Sequence, residues 1–122
     1  MSARKLGVVT GGAGFIGSHM VDLLLDEGFR VHVIDNLVGG RVQNLEHRKQ
    51  DSNLHVEISD INELAADDPL FRGAEYVFHF AGIGDIVPSI DRPVDYLTTN
   101  VLGTIKVLEA VRSAGVDRKS VV

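Results

Sequence analysis

The sequence predicts a single α/β domain built on a doubly wound parallel sheet, and three observations support that prediction. Short apolar segments rich in valine alternate along the chain with segments of helical periodicity. The connections between them are short, as expected for right-handed crossovers between parallel strands. A glycine-rich turn follows the first strand. With the usual winding, the strand order is 3-2-1-4-5, and ligands bind at the switch point between strands one and four.

Size and composition narrow the class of protein. The chain has 122 residues, a net charge of −5 and no cysteine, so we expect one domain and no disulfide framework. Its 44% hydrophobic and 24% charged residues are ordinary for a globular protein and argue against disorder. The acidic balance argues against nucleic acid or an anionic membrane as a partner. No apolar run approaches the ~18 residues that span a bilayer, and no signal peptide is recognisable, so we expect a cytoplasmic protein.

The first two strands flank an amphipathic helix. Leu6–Val9 is apolar without polar alternation, which is typical of a strand buried on both faces. Residues Phe15–Glu27 follow with apolar side chains at helical spacing. Gly28 occupies the position of a left-handed C-terminal cap. Val31–Ile34 is the second predicted strand, and it ends at Asp35.

Two further strands are separated by short polar segments. Leu54–Ile58 is the third predicted strand, after an irregular stretch with a short helix near Val42–Lys49. Ile61–Ala66 predicts a brief helix, which Pro69 stops. Tyr76–Phe80 is the fourth predicted strand.

A long helix and the beginning of a fifth strand complete the sequence. Proline at position 93 favours a helix start, and the helix is predicted to end near Ala114, where Gly115 closes it. One buried stripe is predicted to contain Tyr96, Asn100, Gly103, Val107 and Val111. A buried Asn100 needs a hydrogen-bond partner, and we expect it to brace the structure. Lys119–Val122 predicts a fifth strand that is truncated by the end of the sequence.

The strongest chemical signal is the glycine turn between the first strand and the first helix. Its glycines match two overlapping spacings, Gly11-x-x-Gly14-x-x-Gly17 and Gly12-x-Gly14-x-x-Gly17. Such a turn needs residues without Cβ where the chain turns tightly, where a pyrophosphate approaches and where helix packs on strand. The helix that begins at Phe15 would direct its free N–H groups at the phosphates. The strand–turn–helix context therefore predicts a dinucleotide site, against the alternative of a purely structural turn.

A nucleoside-triphosphate cradle has a similar spacing but does not fit. Ser18-His19 stands where that cradle has lysine followed by serine or threonine. Without the lysine, the β- and γ-phosphates have no counter-charge. We therefore reject this interpretation.

An acid after the second strand indicates which dinucleotide binds. Asp35 lies 18 residues beyond Gly17. A carboxylate there can accept both hydroxyls of an adenosine ribose and would repel the 2′-phosphate of NADP, so the expected cofactor is NAD. The alternative is that Asp35 caps a loop.

Weaker candidates lie at the ends of the third and fourth strands. Asp60 and Ile61 could present a carboxylate and an apolar wall to adenine, or Asp60 could cap a short helix. The small residues of Phe80–Gly82 would let a dinucleotide approach the switch point. The five histidines show no metal-ligand spacing, so we interpret them as core or surface residues and expect no metal site.

Together these motifs resemble the extended short-chain dehydrogenase/reductase family, in its branch of NAD-dependent nucleotide-sugar epimerases and dehydratases, and most closely enzymes of the UDP-glucose 4-epimerase type. The resemblance covers essentially the whole sequence in order. The residues that carry it are Thr10–His19 (TGGAGFIGSH), Asp35–Leu37, Asp60–Ile61, His79–Gly82, and Pro93, Tyr96, Asn100 and Gly103–Thr104.

The resemblance implies that residues 1–122 are the NAD-binding Rossmann domain, without a substrate domain, and it assigns the cofactor contacts. Gly11, Gly14, Phe15, Ile16 and Gly17 would form the pyrophosphate loop; Asp35 and Asn36 would hold the adenosine ribose, with Leu37 and Gly40 beside them; Asp60 and Ile61 would flank adenine; Phe80, Ala81 and Gly82 would line the nicotinamide-side ribose, supported by Asn100. Val38 stands where relatives often have serine, and Gly84 where some epimerases have lysine.

The same resemblance implies an NAD-dependent nucleotide-sugar epimerase, which oxidises a sugar hydroxyl transiently and returns the hydride. A 4,6-dehydratase and a non-catalytic module that senses the dinucleotide are the alternatives. The family's reaction needs a Tyr-x-x-x-Lys pair, but Phe80 and Asn100 stand four residues after Tyr76 and Tyr96. We therefore assign no catalytic residue within the sequence and expect this segment alone to be inactive. The 93–114 helix resembles one of the family's dimerisation helices, so we expect a homodimer.

Overall fold

The computed structural model describes residues 4–82, 90–116 and 118–121. Five parallel strands form one sheet: β1 (Leu6–Thr10), β2 (Arg30–Asp35), β3 (Leu54–Ile58), β4 (Ala74–His79) and β5 (Arg118–Val121). The helical segments of the described residues include α1 (Phe15–Asp26), α2 (Pro93–Leu97) and α3 (Gly103–Ala114). A π-helical turn, Thr98–Leu102, joins α2 to α3, and 3-10 turns occupy Val42–Arg48, Ile61–Glu63 and Pro69–Phe71.

The strand order is β3-β2-β1-β4-β5, which confirms the predicted doubly wound sheet. The reversal of winding lies between β1 and β4. Thr10, the last residue of β1, pairs with Ile34 of β2 on one side and His79 of β4 on the other. The carboxyl ends of the three central strands therefore meet at one edge of the sheet, where parallel sheets bind ligands.

Two apolar cores cover the two faces of the sheet, because successive side chains of a strand point to opposite faces. Val8 belongs to one core, together with Val107 and Val111 of α3. Its neighbour Val9 belongs to the other core, together with Val21 and Leu24 of α1. The layers thus place α1 and α3 on opposite faces, with the start of each helix near the switch point.

Two glycines end helices as predicted. The backbone of Gly28 has φ of +86° after α1, and that of Gly115 has φ of +69° after α3. Few residues other than glycine adopt this left-handed conformation without strain. The chain can therefore reverse immediately after each helix and enter the next strand.

The predicted helix over Ile61–Ala66 is wrong in length. Only Ile61–Glu63 is helical, as a 3-10 turn capped by Asp60, whose carboxylate accepts the N–H of Asn62 at 2.8 Å. The backbone becomes extended at Leu64, whose side chain is buried in the core. Core burial of Leu64 thus ends the helix before Ala66.

The predicted long helix is interrupted, and the prediction that Asn100 is buried is wrong. The π-helical turn lies between α2 and α3 and includes Asn100, which is exposed, whereas Tyr96, Gly103, Val107 and Val111 are buried. A π turn holds more residues than an α turn, so the side-chain register shifts within it. This shift takes Asn100 out of the packed stripe. The fifth strand spans Arg118–Val121, and the end of its prediction, Val122, lies outside the described residues.

Across the residues that the structure describes, no helix combines the length and apolar character needed to cross a bilayer.

Candidate functional site

An open cleft lies at the carboxyl ends of β1, β2 and β4. One wall, here the β2 wall, consists of Asp35, Asn36 and Val38–Gly40. The opposite wall, here the β4 wall, consists of Phe80–Gly82 and Thr99. The floor between them is glycine. The cleft is lined by Gly11, Gly14, Ile34, Asp35, Asn36, Val38, Gly39, Gly40, Ser59, Ile61, Phe80, Ala81, Gly82 and Thr99.

The glycine turn holds β1, α1 and β4 closer together than side chains would allow. Gly11 has φ of +69°, and a Cβ on it would lie 2.7 Å from the backbone nitrogen of Ala81. A Cβ on Gly17 would overlap the carbonyl oxygen of Gly11, and a Cβ on Gly12 would lie 2.7 Å from the side chain of Val33. Thus Gly12 and Gly17 serve packing, whereas Gly11 and Gly14 line the cleft.

The start of α1 faces the cleft with backbone N–H groups rather than side chains. Gly14 is the N-cap, and the first bond of the helix runs from the N–H of Ser18 to the carbonyl of Gly14 at 2.9 Å. The N–H groups of Phe15, Ile16 and Gly17 precede that bond and are the ones that helix geometry leaves free. The side chains of Phe15 and Ile16 are 78% and 60% exposed and do not line the cleft.

Asp35 is buried at the end of β2, where backbone amides hold both of its carboxylate oxygens. Oδ2 accepts the N–H of Ala13 at 3.0 Å, and Oδ1 accepts the N–H of Leu37 at 2.7 Å. Only 6% of the residue is exposed, and Asp35 is among the residues that line the cleft. Each carboxylate oxygen can accept more than one hydrogen bond. Asp35 thus caps the loop and also lies in the cleft wall, so the two interpretations of the sequence are compatible.

Leu37 turns the chain sharply after Asp35. Its φ of +66° is a left-handed conformation that costs a non-glycine residue energy. The hydrogen bond to Asp35 holds this conformation, and the side chain packs against the apolar core beneath, away from the cleft. Gly40 then passes over the carboxylate, since a Cβ on it would lie 2.9 Å from Oδ2 of Asp35.

Residues 37–48 form a strap, and hydrogen bonds and ion pairs fasten it to the first βα unit. The carbonyl of Ala13 accepts the backbone N–H of Arg41 at 3.0 Å and the Asn44 amide at 2.8 Å. Arg48 donates to Asp22 at 2.8 Å and to Asp26 at 2.8 Å. These contacts fix the β2 wall to α1.

The carboxylate of Asp22 sits between two basic side chains. Burial acts to raise its pKa, but the hydrogen bonds from Arg48 and His47 outweigh burial and leave the pKa lowered. The nitrogen Nε2 of His47 lies 2.7 Å from Oδ1 of Asp22. The ionised form of Asp22 is therefore the form that the strap stabilises.

Some of the residues after β3 line the cleft, whereas Asp60 has a purely structural contact. Ile61 is buried and lines the cleft with Ser59. The carboxylate of Asp60 caps the 3-10 turn and does not line the cleft. Of the predicted adenine pair, the structure thus places only Ile61 in the cleft wall.

On the β4 wall, the chain after β4 approaches β1 and the π-helical turn. The N–H of Phe80 donates to the carbonyl of Thr10 at 3.0 Å, which extends the pairing of the two strands. A Cβ on Gly82 would lie 3.0 Å from Oδ1 of Asn100, so glycine permits this approach. Gly84, predicted as a departure from relatives, lies outside the described residues.

Three polar side chains behind the β4 wall form a hydrogen-bonded chain. Thr10 Oγ1 lies 2.6 Å from Nδ1 of His79, and His79 Nε2 lies 2.9 Å from Oγ1 of Thr104. Burial lowers the pKa of His79. His79 is thus a core residue, as interpreted from the sequence, but it connects two strands and a helix.

Five residues line the cleft without having been predicted, and one of them, Ile34, directly precedes Asp35. Val38 and Gly39 adjoin predicted neighbours on the strap, and Ser59 follows β3 directly, so their place at the carboxyl edge could have been inferred from the strand ends. Thr99 faces the cleft through the π-helical turn, which no sequence signal announces. Within the described ranges, no three histidine, cysteine, aspartate or glutamate side chains form a group that could hold a metal ion.

Comparison with known proteins gives consistent results. Residues 8–122 match the sequence model of a family described as GDP-mannose 4,6 dehydratase. The UDP-glucose 4-epimerase of Bos taurus is 40% identical over 119 residues, which cover 89% of this chain and 34% of the relative.

Solved structures agree in fold. The UDP-N-acetylglucosamine 4-epimerase of Methanobrevibacter ruminantium superposes with a TM-score of 0.87 at 32% identity, over 97% of this chain and 37% of that one. The dTDP-glucose 4,6-dehydratase of Streptomyces venezuelae, solved with NAD bound, gives 0.86 at 35% identity, over 93% of this chain and 38% of that one. The chain spans about a third of the length of the relatives it matches.

Proposed function

Since this chain belongs to the family described as GDP-mannose 4,6 dehydratase, we propose that it is the NAD-binding part of a nucleotide-sugar 4-epimerase. The relatives that it matches include NAD-dependent epimerases and dehydratases of the short-chain dehydrogenase/reductase type. The observation that carries the proposal is the cleft itself. Its glycine floor ends at a helix N-terminus on one side and at a buried carboxylate on the other.

The residues of the cleft fit a dinucleotide. Gly11 and Gly14 leave the floor open to a pyrophosphate, and the first N–H groups of α1 supply the donors that an anion needs. In this proposal Asp35 accepts ribose hydroxyls, with Asn36 beside it, and Ile61 contacts adenine; all three residues line the cleft. Ala81 and Gly82 leave space on the nicotinamide side. Bound NAD would supply a hydride acceptor, and the protein's part is to hold and orient it.

A 4,6-dehydratase is the second candidate, favoured by the family match and by the similarity to the Streptomyces enzyme. Both reactions begin by oxidising a sugar hydroxyl. We expect the tyrosine and lysine of the family's Tyr-x-x-x-Lys pair outside residues 1–122. Residues 1–122 therefore do not distinguish an epimerase from a dehydratase.

The activity is tested on the purified native protein supplied with NAD. We expect UDP-galactose to be converted to UDP-glucose. Loss of water from dTDP-glucose, giving a 4-keto-6-deoxy sugar, would instead establish the dehydratase. If the protein bound NAD but formed neither product, the non-catalytic sensing module would replace both enzymes.

The cofactor preference depends on Asp35 and is tested by calorimetric titration with NAD and NADP. We expect the wild-type chain to prefer NAD, because the carboxylate accepts ribose hydroxyls and repels a 2′-phosphate. Asp35→Asn removes the charge at nearly constant volume. We expect it to weaken NAD binding about tenfold to a hundredfold, as for loss of a charged hydrogen bond, and to reduce the preference.

Asp68→Asn is the matched control, because Asp68 also accepts a backbone N–H, that of Leu70, but does not line the cleft. It should leave the NAD preference unchanged. A protein with Asp35→Asn that folds and still discriminates fully between NAD and NADP would refute the assignment of Asp35 to the ribose.

We also propose that the protein is a homodimer that pairs through the 93–114 helical region. One face of this region carries apolar side chains at intervals of three or four residues, and all are more than 40% exposed: Val94, Leu97, Val101, Ile105 and Leu108. An exposed apolar face of this kind is typical of an interface. A twofold pairing would bury the same face on both copies.

Sedimentation of the native protein tests the dimer. Leu97→Glu places a charge in the middle of the apolar face and should reduce the sedimenting mass to that of one chain. Leu23→Glu is the control, since Leu23 is 54% exposed on α1, on the opposite layer. Equal masses for the wild type and Leu97→Glu would contradict the proposed interface. The cytoplasmic location stays a prediction from the sequence.

A further inference from the structure

The ends of β1 and β4 and the start of α3 are connected by side chains that the proposed cofactor contacts do not use. Thr10 and His79 are paired residues at the ends of neighbouring strands, and both are buried. Thr104 lies in the first turn of α3 and is half-buried. Oγ1 of Thr10 lies 2.6 Å from Nδ1 of His79, and Nε2 of His79 lies 2.9 Å from Oγ1 of Thr104; both distances are those of hydrogen bonds.

The donors and acceptors at the two ends of this chain determine where each proton lies. The hydroxyl of Thr104 donates to the carbonyl of Asn100 at 2.7 Å. Its single hydrogen is then used, so it accepts from Nε2 of His79, which must carry a proton. In a neutral ring Nδ1 is then a bare acceptor, and the hydroxyl of Thr10 donates to it.

The two ends of this series of hydrogen bonds lie on two segments beside the cleft. The hydroxyl oxygen of Thr10 accepts the N–H of Ala81 at 3.2 Å, and Ala81 is part of the β4 wall. At the other end, Thr104 holds the carbonyl of Asn100 within the π-helical turn. Thr99 of that same turn lines the cleft. One imidazole thus sets the separation of two segments that face each other across the nicotinamide side.

We propose that His79 is a positioning residue for the dinucleotide: neutral and protonated at Nε2, it fixes Ala81 and the π-helical turn at the spacing that receives the nicotinamide half. This inference rests on the proposed function, because it assumes that the β4 wall contacts that half. Burial of the ring favours its neutral form, which agrees with the direction of the hydrogen bonds. A protonated ring would make Nδ1 a donor and leave the hydroxyl hydrogen of Thr10 without its acceptor.

The proton position is tested on the wild-type chain, without any variant or ligand. Long-range proton–nitrogen NMR spectra of the histidine rings distinguish the two neutral tautomers and the cation. At pH 7 we expect His79 to show a protonated Nε2 and an unprotonated Nδ1. An Nδ1-protonated or cationic ring would overturn the proposal.

The positioning role is tested with two variants at position 104. Thr104→Val keeps the shape but removes the hydroxyl, whereas Thr104→Ser keeps the hydroxyl. By calorimetry, we expect Thr104→Val to weaken NAD binding about fivefold, as for loss of one buried hydrogen bond, while AMP, which carries only the adenosine half, binds as to the wild type. Thr104→Ser should restore NAD binding.

Two results would overturn the positioning role: Thr104→Val binding NAD as tightly as the wild type, or losing AMP affinity to the same extent as NAD affinity. Failure of the proposed function would give a different result, because the wild-type protein would then bind neither NAD nor AMP. The NMR spectra would still show whether His79 is protonated at Nε2. A merely structural role for Thr104 would lower the unfolding midpoint without separating NAD from AMP.

Discussion

Around Asp35, the cleft is bounded by backbone amides that converge on one carboxylate, whereas beside β4 it is bounded by side chains that hydrogen-bond from strand to strand to helix. The β2 wall gains its order from the hydrogen bonds of Asp35 to Ala13 and Leu37, which are 22 and 2 positions away, and from a strap whose ion pairs join residues 26 and 22 positions apart. The β4 wall depends on Thr10, His79 and Thr104, which are distant in sequence. In the proposed complex, the two halves of the dinucleotide are therefore held by elements that differ in their sensitivity to acid and to substitution.

The largest effect is expected where the two walls meet, at Gly11. Gly11→Ala forces a side chain into a left-handed conformation and places its Cβ 2.7 Å from the backbone nitrogen of Ala81. We expect the free energy of unfolding to fall by about 3 kcal/mol or more, from conformational strain together with overpacking. Urea denaturation measures the change.

The control for this substitution separates strain from overlap. Gly73→Ala has a similar φ of +78° but no atom within 4 Å of the new Cβ. It should cost only about 1–2 kcal/mol, the cost of the left-handed conformation alone. Equal losses for the two variants would show that β1 and β4 are not held together as closely as the structure indicates.

Acid should affect the β4 wall before the β2 wall. Burial lowers the pKa of His79, and burial also lowers that of His32 despite its hydrogen bond to the carbonyl of Leu70. Below about pH 6.5, the unfolded chain therefore binds protons that the folded chain does not, and the free energy of unfolding falls as the pH falls. For Asp22 the pKa is lowered from 3.8, so its contribution is present above that value and is lost only in stronger acid.

The measurement is a series of urea denaturations between pH 8 and pH 5, with amide hydrogen exchange of the folded chain. The free energy of unfolding should be constant down to about pH 7 and then fall, with a limiting slope of about 1.4 kcal/mol per pH unit for a buried histidine that stays neutral. Exchange at Ala81 should accelerate before exchange at Arg41 of the strap. Simultaneous acceleration at both amides would remove the distinction between the walls.

The same distinction explains what the sequence could predict. The sheet order follows from the alternation of strand and helix, and the floor and Asp35 follow from glycine spacing and from the carboxylate at a strand end, which are local signals. The Thr10–His79–Thr104 chain joins residues 69 and 25 positions apart, so it requires the strand register. The π-helical turn that exposes Asn100 and brings Thr99 to the cleft interrupts the α-helical register, and apolar periodicity cannot reveal it.

The smallest effect is expected from the strap, because a partly exposed ion pair contributes little on its own. Arg48→Ala removes the contacts to Asp22 and Asp26 but leaves the hydrogen bonds that the Arg41 backbone N–H and the Asn44 side chain donate to the carbonyl of Ala13. We expect a decrease in NAD affinity of about twofold to threefold, since the β2 wall keeps Asp35 and becomes only more mobile. Lys5→Ala is the matched control. It breaks an exposed ion pair, in which Nζ of Lys5 lies 3.7 Å from Oε2 of Glu75, and neither residue lines the cleft, so NAD binding should be unchanged. If Arg48→Ala weakened AMP binding and NAD binding equally, the strap would act on the adenosine half alone, as the difference between the two walls requires. If only NAD binding were weakened, the effect of the strap would lie on the β4 wall, which would contradict that difference.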